Sequence, residues 1–228
     1  FTTLFGQKMP KEGQCFDYVW NVNEDCWEEW SSKIPVYQSV PIGSGPGETP
    51  FNELFVATAD TVRLTFLLET LAKKHKNAML VGSGSGKTSI INTYIHSLDK
   101  DTDGFLIHGI NMSYYTDSKR LQGDIELPID KRSGRRYGPP ASKHLIVFID
   151  DLNLPYIETY GTQNAIALLT QHMTYGTIFD RIDLGLRKEL VDIQYMSALN
   201  PTAGSFIICE RAQRLFCTFA CIMPSQQD

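Results

Sequence analysis

No apolar run among the 228 residues approaches the ~18–20 that a membrane-spanning helix needs. The N-terminal residues carry no signal-peptide pattern. Basic excess is missing too. Lys and Arg number 21 against 26 Asp and Glu, and the net charge of −5 argues against a nucleic-acid groove. The cysteines (Cys15, Cys26, Cys209, Cys217 and Cys221) are odd in number and lack metal-ligand spacing. Cys217 and Cys221 lie in an apolar run, so buried free thiols in a reducing, cytosolic compartment are expected. What is present suits a globular protein: 42% hydrophobic and 21% charged residues, in a length for one large domain or one domain with an appendage. The chain starts without Met and stops just after an apolar strand, and is expected to be a piece of a longer one.

The most informative stretch is Ala78-Met79-Leu80-Val81-Gly82-Ser83-Gly84-Ser85-Gly86-Lys87-Thr88. An apolar run enters a glycine-rich turn and then a helix-compatible segment from Ser89 to Ser97. In that order, backbone N–H groups curl around phosphate oxygens and the helix N-terminus adds its positive dipole. Gly82, Gly84, Ser85, Gly86 and Ser89 would form the cradle. Lys87 would reach the β- and γ-phosphates, and the Thr88 hydroxyl would ligate Mg²⁺. The spacing from Gly82 to Gly86 leaves three residues where four are usual, so the loop is one residue short.

Before this loop, residues 1–48 read as an irregular arm holding Trp20, Trp27 and Trp30, with a turn-rich boundary at Ile42-Gly43-Ser44-Gly45-Pro46-Gly47. Thr61, Leu64, Leu67, Leu68 and Leu71 follow an i, i+3, i+4, i+7 stripe, a helix ending in Lys73-Lys74-His75-Lys76. Beyond the loop, Phe105 to Asn111 reads as a buried strand and 117–126 as a helix. Asp130 to Pro140 reads as a basic, solvated hairpin. Gln163 to Tyr175 suits a helix, Thr177 to Val191 a hairpin insertion, and Ile193 to Leu199 a fourth strand. A last strand spans Leu215 to Ile222.

His144-Leu145-Ile146-Val147-Phe148-Ile149-Asp150-Asp151 is the companion site: five apolar residues ending in two carboxylates at the tip of a parallel strand. Asp150 would hold the Mg²⁺ shell through Thr88 and water, and Asp151 would polarise the attacking water. Asp151 is one methylene shorter than the glutamate usual there, which predicts binding with slow hydrolysis. Asn200, at the end of the fourth strand, either orients that water in a sheet of order 5-1-4-3-2 or simply ends the strand with Pro201.

The phosphate loop, Asp150-Asp151-Leu152-Asn153-Leu154-Pro155, Tyr160-Gly161-Thr162 and Asn200-Pro201-Thr202-Ala203-Gly204-Ser205-Phe206 together resemble an AAA+ module of axonemal dynein heavy chains, most like the third of six in the motor ring. The resemblance spans most of 50–228. It implies an α/β P-loop NTPase fold of AAA+ type over 49–228, with a parallel sheet of order 5-1-4-3-2 flanked by helices and lacking the small helical subdomain after Asp228. It also implies ATP or ADP with Mg²⁺, Lys87 and Thr88 as Walker A, Asp150 and Asp151 as Walker B, and Asn200 as sensor 1. An arginine finger for a neighbouring module falls on Arg214, with Arg211 second. The implied partners are adjacent modules of the same heavy chain and the rest of a dynein complex in the axoneme of a cilium or flagellum. Microtubules would be met only through other parts of the parent chain, and neither nucleic acid nor membrane is expected. A purely structural ring spacer, or a module of another multi-AAA+ remodeller of midasin type, are the alternatives.

Overall fold

A computed structural model describes residues 10, 12–43, 49–51, 54–98, 104–201 and 208–223. Residues 44–47 of the turn-rich boundary and 202–206 of the last motif lie outside these. In chain order the elements are β1 (Tyr18–Asn21), β2 (Cys26–Glu29), α1 (Ala59–Lys73), β3 (Ala78–Val81), α2 (Lys87–Ser97), β4 (Phe105–Asn111) and α3 (Ser118–Glu126). There follow β5 (Asp130–Ser133), β6 (Arg136–Gly138), β7 (His144–Asp150), α4 (Asn164–Tyr175), β8 (Thr177–Phe179), β9 (Arg187–Leu190), β10 (Ile193–Leu199), α5 (Glu210–Gln213) and β11 (Cys217–Ala220). Two compact units divide within α1, the first ending at Leu67 and the second running from Leu68 to Met223. Among the described residues, no helix is long and apolar enough to cross a membrane.

In the first unit the arm is not wholly irregular. β1 and β2 form an antiparallel hairpin in which Trp20 faces Trp27, their rings edge to face at 5.2 Å. That cross-strand aromatic pair holds the short ribbon, and clustered tryptophans alone did not predict strands. Trp30 is buried and packs edge-on against Phe66. The helix begins with a reciprocal pair: Thr61 Oγ1 accepts from the Thr58 N–H at 2.8 Å, and Thr58 Oγ1 from that of Thr61 at 3.4 Å.

The second unit is built on a five-stranded sheet ordered β11-β3-β10-β7-β4, every pairing parallel. Numbered by these strands alone, the order is 5-1-4-3-2, as expected. The central strands β7 and β10 carry runs of five and six buried residues, which is why they read as unbroken apolar stretches. Leu145, Val147, Ile149 and Tyr195 pack with Leu121 and Ile125 of α3 and with Ile166 and Leu169 of α4. The helix ends follow their chemistry. Asp117 caps α3 by accepting the Arg120 N–H at 2.7 Å, and Gly176, left-handed at φ 66°, ends α4.

The two insertions read separately from the sequence join into one sheet, β5-β6-β9-β8, through parallel pairing of Arg136 with Glu189 and Tyr137 with Leu190. Lys188 fastens it, 2.6 Å from Asp180 and 3.0 Å from Glu126. The hydrogen bond from Lys188 draws the Asp180 carboxyl down to about 2. Arg132, in the basic hairpin, is tied to Asp192 and to the Pro139 carbonyl.

Candidate functional site

The site forms where β3, β10 and β7 end on the same edge of the sheet. β3 stops at Val81, and the Gly82 N–H donates to the Leu199 carbonyl at 3.2 Å, so the loop begins beside the tip of β10. The chain then turns through Gly84 and Gly86, at φ 60° and 72°, values that a side chain disfavours. Gly86 is the residue before α2 and has no side chain with which to cap it. A helix start leaves backbone N–H groups without partners inside the helix, so these are left for a ligand. Gly82 is needed for another reason. A Cβ there would stand 2.1 Å from the Cys221 carbonyl oxygen and 2.5 Å from Ser85 Oγ.

Lys87 is buried, and its Nζ donates to the Gly82 carbonyl at 2.7 Å, folding the ammonium back over the loop. Ser85 is also buried, and its hydroxyl finds no hydrogen-bond partner among the described residues. Thr88, the second residue of α2, reaches past β10 to the end of β7, its hydroxyl 3.1 Å from each oxygen of Asp150. Burial pushes the Asp150 carboxyl above its ordinary range. The charge of Asp151 adds to this, while the Thr88 hydroxyl and Lys87 oppose it.

Asp151 is exposed and sits in the left-handed region at φ 52°, its N–H turned onto Asp150 Oδ1 at 3.1 Å. Asn200 lies directly after β10, in the position that follows the Leu199–Val81 pairing and therefore beside Gly82. The structure thus brings Gly82, Gly84, Ser85, Gly86, Lys87, Thr88, Ser89, Asp150, Asp151 and Asn200 to one edge. Arg214 and Arg211 are elsewhere. Arg214 lines a cleft of about 470 Å³ at the opposite ends of the strands with Lys76, Asp192 and Tyr195. Arg211 lines another, of about 290 Å³, along α4.

Two residues of the site carried no assigned role in the sequence. Cys221 donates its thiol to the Ser85 carbonyl at 3.2 Å and its N–H to Val81 at 2.7 Å, so the chain after β11 forms the floor of the loop. The signal was the sheet order, which sets the residue after β11 opposite the residue after β3. Asn153 is buried and donates from Nδ2 to the Asn200 carbonyl at 2.9 Å, joining the turns after β7 and β10.

A glycine loop that feeds a helix, whose second residue reaches a carboxylate two strands away, belongs to the P-loop class of nucleotide-binding proteins. Comparison with known proteins narrows the class. Residues 44–224 match the family model described as the P-loop containing dynein motor region. The chain is 38% identical over 218 residues to dynein axonemal heavy chain 9 of Homo sapiens, covering 95% of this chain and 5% of that protein. It is 40% identical over 220 residues to the ciliary dynein beta chain of Tripneustes gratilla, covering 96% and 5%. It is 37% identical over 221 residues to the flagellar outer arm dynein beta chain of Chlamydomonas reinhardtii, again covering 96% and 5%. The chain belongs to the P-loop-containing dynein motor region family. It spans about 5% of the length of these relatives.

Proposed function

We propose that residues 49–228 form the large nucleotide-binding subdomain of one AAA+ module in a dynein motor ring, with 1–48 as a flanking arm. The site holds ATP or ADP with Mg²⁺ and regulates microtubule-based motility while hydrolysing slowly or not at all. The observation that carries this reading is the Thr88 hydroxyl shared equally between both Asp150 oxygens beside the phosphate loop. The chain's own groups fit the ligand. The unpartnered Ser85 hydroxyl and the uncapped start of α2 are donors awaiting acceptors, and Asp150, held above its ordinary range by burial, gains from a cation. Lys87 would give up the Gly82 carbonyl for the β- and γ-phosphates, Thr88 and Asp150 would hold Mg²⁺, and Asp151 and Asn200 would polarise and orient water. When bound, Mg²⁺ neutralises phosphate charge. As one module of a longer heavy chain in the axoneme of a cilium or flagellum, this chain has adjacent modules and the rest of the dynein complex as its partners. Microtubules are met through other parts of the parent chain.

Arg214, at the far ends of the strands, serves the nucleotide of the neighbouring module, with Arg211 as the second candidate. The test is nucleotide occupancy and turnover in the full ring. Lys87→Ala removes the loop's cation and is expected to abolish nucleotide at this site. Arg214→Ala leaves that nucleotide bound and slows a hydrolysing neighbour, by ~10³–10⁵-fold if it acts as such fingers do. Full occupancy in the Lys87→Ala protein overturns the reading.

A further inference from the structure

The loops that follow β4 and β7 enclose a third cleft, of about 350 Å³. It opens at the β4 edge of the sheet, three strand spacings or about 14 Å from β3, so it is separate from the phosphate loop. Three tyrosines wall it. The Tyr114 ring meets Tyr115 edge to face at 5.2 Å and 83°, and Tyr156 at 5.4 Å and 63°. Aromatic faces set at steep angles to one another offer several negative π surfaces to one group. The other side of the cleft carries Asp117 and Glu158, and no Lys, Arg or His lines it among the described residues. Lys119 and Arg120 follow in α3 without joining the lining.

The carboxylates already have structural duties. Asp117 caps α3 and Glu158 accepts from the Asn164 amide, but neither duty cancels its charge. Aromatic faces and two uncompensated carboxylates in one cleft are complementary to a flat cation. A guanidinium stacks on an aromatic face while its fork reaches a carboxylate, which a compact ammonium does less well. Tyr115 is 83% exposed, far more than a tyrosine that serves only the core of this unit.

We propose that this cleft is a docking pocket for an arginine side chain presented by a neighbouring polypeptide segment. The pocket operates apart from nucleotide chemistry, and its test does not depend on it.

The test replaces Tyr115 with photoreactive p-benzoylphenylalanine in the full-length chain, irradiates the purified protein and identifies the captured peptide by mass spectrometry. An arginine within about a turn or strand pair of the attachment point is expected. Asp117→Asn with Glu158→Gln removes both charges yet keeps the cap and the amide contact, since Asn caps a helix as well as Asp. That double variant is expected to lower capture about five-fold, in keeping with two partly exposed charge contacts. Should the double variant fail to fold, ethylguanidinium added to the unmutated chain is expected to lower capture more than sodium chloride of equal ionic strength. Capture of a segment without arginine, capture indifferent to charge removal and to ethylguanidinium, or no capture at all overturns the proposal.

Discussion

Gly82→Ala tests the floor of the phosphate loop directly. The added methyl would lie 2.1 Å from the Cys221 carbonyl oxygen, about 0.9 Å inside the 3.0 Å that real Cβ atoms respect, and 2.5 Å from Ser85 Oγ. The nearest atom is backbone, in a residue fixed to Val81 by a 2.7 Å hydrogen bond, so it cannot swing aside as a side chain would. Either β11 parts from β3 or the loop is displaced. Overpacking of this kind costs ~1–3 kcal/mol. For a chain of this size that is a fall in Tm of about 2–12 °C. If the loop yields, nucleotide affinity falls at least ~10-fold, the equivalent of about 1.4 kcal/mol. Thermal unfolding and titration with a fluorescent ATP analogue read the two outcomes separately. Gly109→Ala is the control: nothing lies within 4 Å of its added methyl, its φ is not in the left-handed region, and the change is expected to be neutral or stabilising by up to ~1 kcal/mol. A Gly82→Ala protein matching the wild type in both assays would refute the packing argument.

Asp151→Glu lengthens the candidate base by one methylene and is expected to raise turnover at this site without altering nucleotide occupancy, as single-turnover assays would reveal; lower turnover would show that reach is not limiting. Burial lowers His172 to about 4 from its ordinary 6.5, its Nδ1 lying 2.7 Å from the Tyr195 hydroxyl. Because the unfolded chain binds this proton first, stability is full above pH ~6.5 and declines as the pH falls towards about 4, by up to about 3 kcal/mol. In urea unfolding across pH, His172→Gln should flatten that decline, and an unchanged slope would count against His172 as its source.

Much of this arrangement was legible because parallel strands buried on both faces leave unbroken apolar runs. Leu145 to Ile149 and Ile193 to Leu199 marked two strands, and the glycine loop with the paired carboxylates marked which strand ends carry the site. Boundaries followed local chemistry where it was strong, as at the Asp117 cap and at Gly176. The β1–β2 hairpin was not legible, since a four-residue strand such as Tyr18–Asn21 leaves too short a pattern and is held by Trp20 against Trp27 across the turn. The union of the two insertions was hidden for a related reason. Pairing of Tyr137 with Leu190 is a long-range contact with no local signal. The loop's floor at Cys221 needed the sheet order first and the register second.

That floor also sets a clock. β3 lies between β10 and β11, both of which follow it late in the chain, so the strand that launches the phosphate loop has no sheet neighbour until they exist. The thiol contact that supports the loop closes 136 positions after Ser85. At a synthesis rate of ~5–20 residues per second, a ribosome needs roughly 7–27 s to cover that distance. Ala78 to Val81, an apolar strand, has two open edges until β10 is made and one until β11 follows, and over that interval it is exposed to mispairing. A chaperone that binds extended apolar segments would find its substrate here, and its hold would end once β11 is made.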